Sequence, residues 1–140
     1  NWILKIAGDG ELKQELENQI ATNNLNDKVF LLGNISNIKE EYKKSAFLCM
    51  TSLYEGLPMT LIEAKDFGLP VVSFDCNTGP KEIINGDGFL IDCFDEVRYI
   101  HAMIKLMRCP DIRDEMSKKA FINRTEYSEG KIISLWKNVI

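Results

Sequence analysis

The segment SLYEGLPMTLIEAKDFGLPVVSFD, residues 52–75, predicts a turn, an apolar helix and a buried strand in succession. Gly56 and Pro58 mark the turn, and proline suits the first turn of a helix because its missing N–H would have no partner there. Two carboxylates, Glu55 and Glu63, stand eight positions apart, and the second is flanked by leucine, isoleucine and alanine. Burying an unpaired carboxylate is unfavourable, so this segment places a candidate functional group inside an apolar helix.

Strands and helices alternate on both sides of this segment. Apolar runs predict strands at 2–8, 28–33, 46–52, 69–75 and 88–92, and the other patterns predict helices at 11–24, 37–45, 58–67, 95–108, 110–122 and 128–140. The strands are nearly continuous apolar runs, which is typical of parallel strands covered on both faces. The sequence therefore predicts an α/β fold, a Rossmann-like parallel sheet with helices on both faces, with ligands at the carboxyl ends of the strands.

Composition and charge narrow the class of protein. The chain has 140 residues, which suits one domain, and a net charge of −4, with 8 basic against 16 acidic residues over 1–97 and 9 against 5 over 98–140. This net negative charge excludes the basic surface that is typical of a nucleic-acid-binding protein. No apolar run reaches the roughly 18 residues of a membrane-spanning helix. The chain opens on a strand-like run without an initiating Met, so we expect a domain of a longer protein, truncated at its N-terminal edge.

Cysteine and histidine usage predicts no metal site. The four cysteines form no C-x-x-C pair, and His101 is the single histidine; the cysteines are Cys49, Cys76, Cys93 and Cys109. Free thiols are typical of a reducing compartment. We therefore expect a cytoplasmic protein with unpaired cysteines.

The turn at residues 55–60 has the chemistry of an anion site. The first N–H groups of a helix have no partner within the helix, so those of Met59 and Thr60 are free to bind a phosphate or diphosphate. Glu55 lies beside this site, where its carboxylate would repel a bound phosphate. Contact with neutral sugar hydroxyls is a role for this carboxylate that involves no such repulsion.

Glu63 lies about a turn and a half beyond Pro58, or roughly 8 Å along the helix axis. A nucleotide ribose, with two adjacent hydroxyl donors, can satisfy both oxygens of this carboxylate. The alternative is a structural pair with a lysine or a backbone amide, and the spacing alone does not separate the two.

The turn AGDGEL, residues 7–12, follows the first predicted strand. A dinucleotide-binding fingerprint needs a third glycine where Lys13 stands, and the acidic residue expected after the next strand is absent, so a nicotinamide or flavin site is disfavoured. Gly8 and Gly10 allow either a close approach of the backbone to a ligand or a tight strand-to-helix turn.

Several of these motifs together resemble a known family. EGLPMTLIEA, residues 55–64, resembles the E-x7-E signature of the retaining GT-B glycosyltransferases of family 4, the group 1 glycosyltransferases. The stretches AGDGEL, VFLLGNIS, FGLPVVSFD and TGPKEII resemble the flanking motifs of that family in the same order. The chain looks most like bacterial polysaccharide and lipopolysaccharide transferases that use UDP-sugars.

The resemblance implies a role for each motif in the C-terminal, donor-binding half of a GT-B fold. Glu63 would bind the ribose hydroxyls of the donor, and Glu55 would act as the catalytic carboxylate near the reacting carbon. The main chain at Ile35 would bind the base, and Gly8 and Gly10 would approach the donor. The diphosphate would be held by the backbone of Gly56, Leu57, Pro58, Met59 and Thr60, without a metal or another cofactor.

The implied activity is the transfer of a hexosyl group from a nucleotide sugar, expected to be a UDP-sugar, to a glycan or lipid-linked acceptor with retention of configuration. The acceptor-binding domain, and an Arg and a Lys that grip the diphosphate, would precede residue 1, so this chain alone would be inactive. The whole protein would touch the inner face of the cell membrane peripherally. Two alternatives stay open: a nucleotide-sugar epimerase of the same fold, and a non-catalytic nucleotide-sugar-binding or interaction module.

Overall fold

The computed structural model describes residues 2–138, in which strands and helices alternate as predicted. The strands are β1 (Leu4–Ala7), β2 (Val29–Gly33), β3 (Leu48–Met50), β4 (Val71–Asp75) and β5 (Gly88–Asp92). The helices are α1 (Lys13–Thr22), α2 (Ile38–Lys44), α3 (Met59–Asp66), α4 (Pro80–Ile83), α5 (Glu96–Arg108), α6 (Pro110–Asn123) and α7 (Glu129–Lys137), with a 3-10 helix at Arg124–Tyr127. The last two residues of the predicted closing helix lie outside the described part.

All the strand pairs are parallel, which confirms the predicted α/β class. Their hydrogen bonds form two sheets rather than the one that was predicted: β1 pairs with β2, and β4 lies between β3 and β5. Apolar runs reveal strands, whereas the order of pairing depends on long-range contacts that no single run encodes.

The chain divides into two compact units, residues 1–41 and 42–140. The first unit contains β1, α1 and β2, and Lys5 pairs with Glu41 at 2.5 Å. Three of the four residues of β1 are exposed, although its apolar run predicted a buried strand. The prediction that residues 1–140 form one nucleotide-sugar-binding domain stays a prediction.

The core of the second unit lies around β4, whose first four residues are all buried. Val72 and Phe74 pack against α5, and the Tyr99 ring meets that of Phe74 edge-on at 4.9 Å. The Tyr99 hydroxyl donates to the carbonyl oxygen of Val72 at 2.9 Å. Burial on both faces is expected of a central parallel strand, and it fixes the carboxyl end of β4, where a loop returns toward α3.

Local signals account for the helix limits in this unit. The Asp95 side chain accepts from the N–H of Arg98 and so caps the start of α5. Pro110 begins α6, and Pro58 directly precedes α3, as expected of a residue that suits a first helical turn. Among residues 2–138, the structure contains no helix with both the length and the apolar character needed to cross a lipid bilayer.

Candidate functional site

The start of α3 lies at the carboxyl end of β3, because the loop of residues 51–58 joins the two. Pro58 is buried and accepts the N–H of Leu61 at 3.0 Å. In the described part of the chain the N–H groups of Met59 and Thr60 have no hydrogen-bond partner, and both residues are exposed. Gly56 and Leu57 are exposed too. This segment therefore presents two unpaired backbone donors to solvent, as an anion site requires.

Residues in the loop that follows β4 contact the segment of residues 55–58. The Thr78 hydroxyl donates to the backbone carbonyl of Glu55. Gly79 has a φ of +99°, and a Cβ atom there would overlap the ring of Pro58. The Gly79 N–H donates to the Glu82 carboxylate at 2.8 Å, so it is already satisfied. The two loops thus hold the backbone of Glu55 and Pro58 in place.

The Glu55 side chain is half-buried. Among residues 2–138 its carboxylate has no hydrogen-bond or ion-pair partner, whereas its backbone carbonyl is held by Thr78. A fixed backbone with an unpaired carboxylate leaves this side chain able to contact a ligand beside the start of α3.

Glu63 lies in the middle of α3 and is paired with neither a lysine nor a backbone amide. The Tyr42 hydroxyl, from α2, donates to its Oε2 at 2.9 Å. The other oxygen, Oε1, has no partner in the described residues. Burial, and then the hydrogen bond and the charge of Glu63, raise the pKa of Tyr42 above its ordinary value, so the phenol stays protonated and donates.

A buried ion pair begins two positions further along α3, at Lys65. Lys65 pairs with the Asp87 carboxylate, and both side chains are 2% exposed. Asp87 also accepts the N–H of Asn85 at 2.8 Å. The pair joins α3 to the residue before β5, and it leaves Glu63 without a lysine partner.

The remaining predicted site residues lie in the first unit. Gly8 has a φ of +131° and its N–H donates to the carbonyl of Gly33 at 2.8 Å, so the tight turn itself requires glycine there. A Cβ atom at Gly8 or Gly10 would meet nothing within 4 Å. Both line a cavity of about 220 Å³ whose apolar walls include Leu12. Ile35 is half-buried in the loop after β2 and does not line it.

The sequence analysis did not identify Tyr42 and Thr78, which contact the two glutamates, or the buried pair of Lys65 and Asp87. One signal was available for Tyr42, the aromatic residue in the otherwise polar stretch of α2. Another was available for Lys65, a cation in an apolar helix. Nothing in the sequence named the partners, because each pair is separated by about twenty positions.

Residues 1–122 match the model of the glycosyl transferases group 1. The chain belongs to this family. This glycosyltransferase group 1 chain is 37% identical over 139 residues to the amylovoran biosynthesis glycosyltransferase AmsD of Erwinia amylovora, a match that covers 99% of the chain and 40% of AmsD. The predicted family is thereby confirmed.

Two further proteins are similar to this chain. A Campylobacter jejuni protein, named as an alpha-1,4-N-acetyl-D-galactosaminyltransferase acting on a diphospho-undecaprenol-linked glycan, is 34% identical over 142 residues, covering 100% of this chain and 39% of the relative. A crystal structure of an S. aureus TarM mutant in complex with Fondaparinux, alpha-GlcNAc-glycerol and UDP matches with a TM-score of 0.90 and 29% identity, over 97% of this chain and 28% of TarM.

These matches confirm the GT-B fold class. The chain spans about two fifths of the length of the two curated relatives.

Proposed function

We propose that the chain is the donor-binding half of a retaining glycosyltransferase that moves a hexosyl group from a UDP-sugar to a glycan or lipid-linked acceptor. The observation that carries the proposal is the arrangement on α3: two unpaired backbone donors at its start, and the carboxylate of Glu63, held by Tyr42, about a turn further on. The UDP in the TarM structure and the lipid-linked glycan in the name of the C. jejuni relative support the choice of substrates.

The start of α3 would bind the diphosphate. The N–H groups of Met59 and Thr60 point out of the helix end, where the helix dipole favours negative charge. When the bond between the anomeric carbon and the diphosphate oxygen breaks, negative charge grows on the leaving oxygen. Fixed backbone donors stabilise that charge, and the loop contacts of Pro58 keep them in position.

Glu55 would lie beside the sugar. A retaining transfer passes through an oxocarbenium-like state with positive charge near the anomeric carbon. A carboxylate without a protein partner stabilises such charge, and the hold of Thr78 on the Glu55 carbonyl fixes its backbone. Further along α3, Glu63 would accept hydrogen bonds from the ribose.

Two further segments would serve the donor nucleotide. Gly8 and Gly10 leave open space beside the backbone, which suits close approach of a ligand, and the main chain at Ile35 would bind the base. The reaction would need no metal, because backbone amides and cationic side chains supplied by the rest of the protein neutralise the diphosphate. A lipid-linked acceptor would bring the protein to the inner face of the cell membrane.

The test uses the full-length protein, with UDP, GDP and ADP binding measured by calorimetry and sugar transfer measured with and without EDTA. We expect UDP to bind most tightly and EDTA to leave turnover unchanged. Glu63→Ala should weaken UDP binding roughly 10- to 100-fold, since hydrogen bonds to charged groups are strong. Glu55→Gln should lower turnover by roughly two orders of magnitude with little change in UDP affinity.

Glu17→Ala, on the exposed surface of α1, is the matched control and should change neither quantity. Full turnover in Glu55→Gln would exclude a catalytic role for Glu55 and favour the non-catalytic module. Preference for GDP or ADP would overturn the choice of donor, and loss of turnover with EDTA would overturn the metal-free reaction.

A further inference from the structure

The Tyr42 side chain is the one protein group that hydrogen-bonds the Glu63 carboxylate within residues 2–138. We propose that Tyr42 is a positioning residue for nucleotide recognition: by donating to Oε2 it fixes the Glu63 carboxylate so that Oε1 accepts a ribose hydroxyl of the donor. This inference rests on the proposed function, because it takes the ligand of Glu63 to be a ribose.

Burial and packing restrict the movement of the Tyr42 ring. It is 5% exposed, and the Phe67 ring packs against it at a centroid distance of 5.4 Å and an angle of 33°. Glu63 and Phe67 are four positions apart on or next to α3, so they share one side of the helix. The tyrosine therefore contacts two successive turns of that side, and its hydroxyl has little freedom to leave Oε2.

The direction of the hydrogen bond determines which oxygen of Glu63 is left for a ligand. The Tyr42 hydroxyl donates to Oε2, so that oxygen already has a protein partner. One oxygen is engaged and the other has no protein partner in the described part. A ligand that offers a hydroxyl donor fits the remaining oxygen, whereas a phosphate offers only further acceptors and is repelled.

The same contact explains how a flexible glutamate can discriminate between ligands. A free glutamate side chain has several rotamers, and ordering it on binding costs conformational entropy. The Tyr42 hydroxyl orders it before the ligand arrives. Preorganised groups bind more tightly because that cost does not fall on the binding step. The hydroxyl therefore strengthens recognition of the ribose without touching it.

The test is a thermodynamic cycle in the full-length protein between Tyr42→Phe and the ribose hydroxyls. Binding of UDP, 2′-deoxy-UDP and 3′-deoxy-UDP is measured by calorimetry for both proteins. In the unmodified protein we expect the loss of the recognised hydroxyl to weaken binding roughly tenfold or more. In Tyr42→Phe, which keeps the ring and its packing on Phe67, this discrimination should fall below about threefold.

Tyr127→Phe is the matched control. Its hydroxyl donates to the carbonyl of Glu82 at 2.9 Å, so the substitution removes a comparable hydrogen bond elsewhere and should leave the discrimination intact. If Glu63→Ala weakens UDP binding while Tyr42→Phe keeps full discrimination, the inference is overturned and the proposed function stands. If Glu63→Ala has no effect on UDP binding, the proposed role of Glu63 itself fails.

A second measurement tests the inference if the Tyr42→Phe protein does not fold. In Glu63→Gln, a Tyr42 hydroxyl that donates to the amide oxygen turns the NH₂ group toward the ribose, where it donates to the ribose hydroxyl instead of accepting from it. This neutral hydrogen bond is weaker than one to a carboxylate, so we expect the discrimination between UDP and the deoxy ligand to fall below about threefold. Discrimination as strong as that of the unmodified protein would show that Tyr42 does not set the orientation, and would overturn the inference.

Discussion

Gly79 joins the two loops of the site through its backbone geometry. Its φ of +99° is a conformation that residues with side chains rarely adopt, and an added Cβ atom would overlap Pro58. We predict that Gly79→Ala lowers the free energy of unfolding by roughly 1–3 kcal/mol and lowers turnover as well, because relief of the overlap must displace Pro58 and the start of α3. Urea unfolding and a turnover assay on the same preparation check both parts.

Gly130→Ala is the control for this substitution. Gly130 lies within α7, has an ordinary φ, and a Cβ atom there would meet nothing within 4 Å. Alanine is favoured over glycine inside a helix by about 1 kcal/mol, so this variant should be as stable as the unmodified protein or more so. Equal effects of the two substitutions on stability would contradict the argument from geometry.

At the scale of elements, the Lys65–Asp87 pair ties α3 to the start of β5. We predict that Lys65→Met lowers the free energy of unfolding by roughly 3–5 kcal/mol, because it leaves a buried aspartate without its partner. Replacing both residues, in Lys65→Met with Asp87→Leu, should recover most of that loss, since an apolar pair of similar volume needs no desolvation of charge. The unfolding midpoints of the single and double variants check this. A double variant no more stable than the single one would contradict this account of the unpaired aspartate.

The elements themselves could be read from the sequence more completely than their contacts. The predicted strand 88–92 is β5 as observed, and α5 and α6 begin and end within one residue of prediction. The predicted strand 46–52 is reduced to the three residues of β3, because only these pair with β4. The hydrophobic period and the capping residues are local features, so a single sequence is enough to predict the elements that depend on them.

The contacts that build the candidate site are of another kind. The hydroxyl of Tyr42 reaches Glu63, Lys65 reaches Asp87, and Thr78 reaches the Glu55 carbonyl, over separations of 21, 22 and 23 positions. A sequence pattern marks Glu63 as an unusual carboxylate in an apolar helix, but its partner is determined by the tertiary contact of Tyr42 with α3. Pairing of this kind is a property of tertiary structure, and it needs coordinates or many related sequences.

At the scale of the whole molecule, buried acidic groups make stability depend on pH. Burial raises the pKa of Cys49 from 9.0 to about 11, and burial also raises the pKa values of Tyr42 and Tyr99 above their ordinary value of 10.0. Each group binds its proton more tightly in the folded protein than in the unfolded chain. The unfolded chain therefore binds fewer protons at alkaline pH, and stability falls as pH rises.

We predict that the contribution of Cys49 is fully present below pH 9.0 and is lost as the pH rises toward about 11. Between about pH 8 and about pH 10 this amounts to roughly 1 kcal/mol, and the two tyrosines add to the loss near and above pH 10. Urea unfolding at the two pH values measures the difference. Cys49→Ala should reduce it by about half, because the titrating thiol is gone while the cost of the lost sulfur is the same at both pH values. A difference unchanged in Cys49→Ala would mean that other groups cause the alkaline loss.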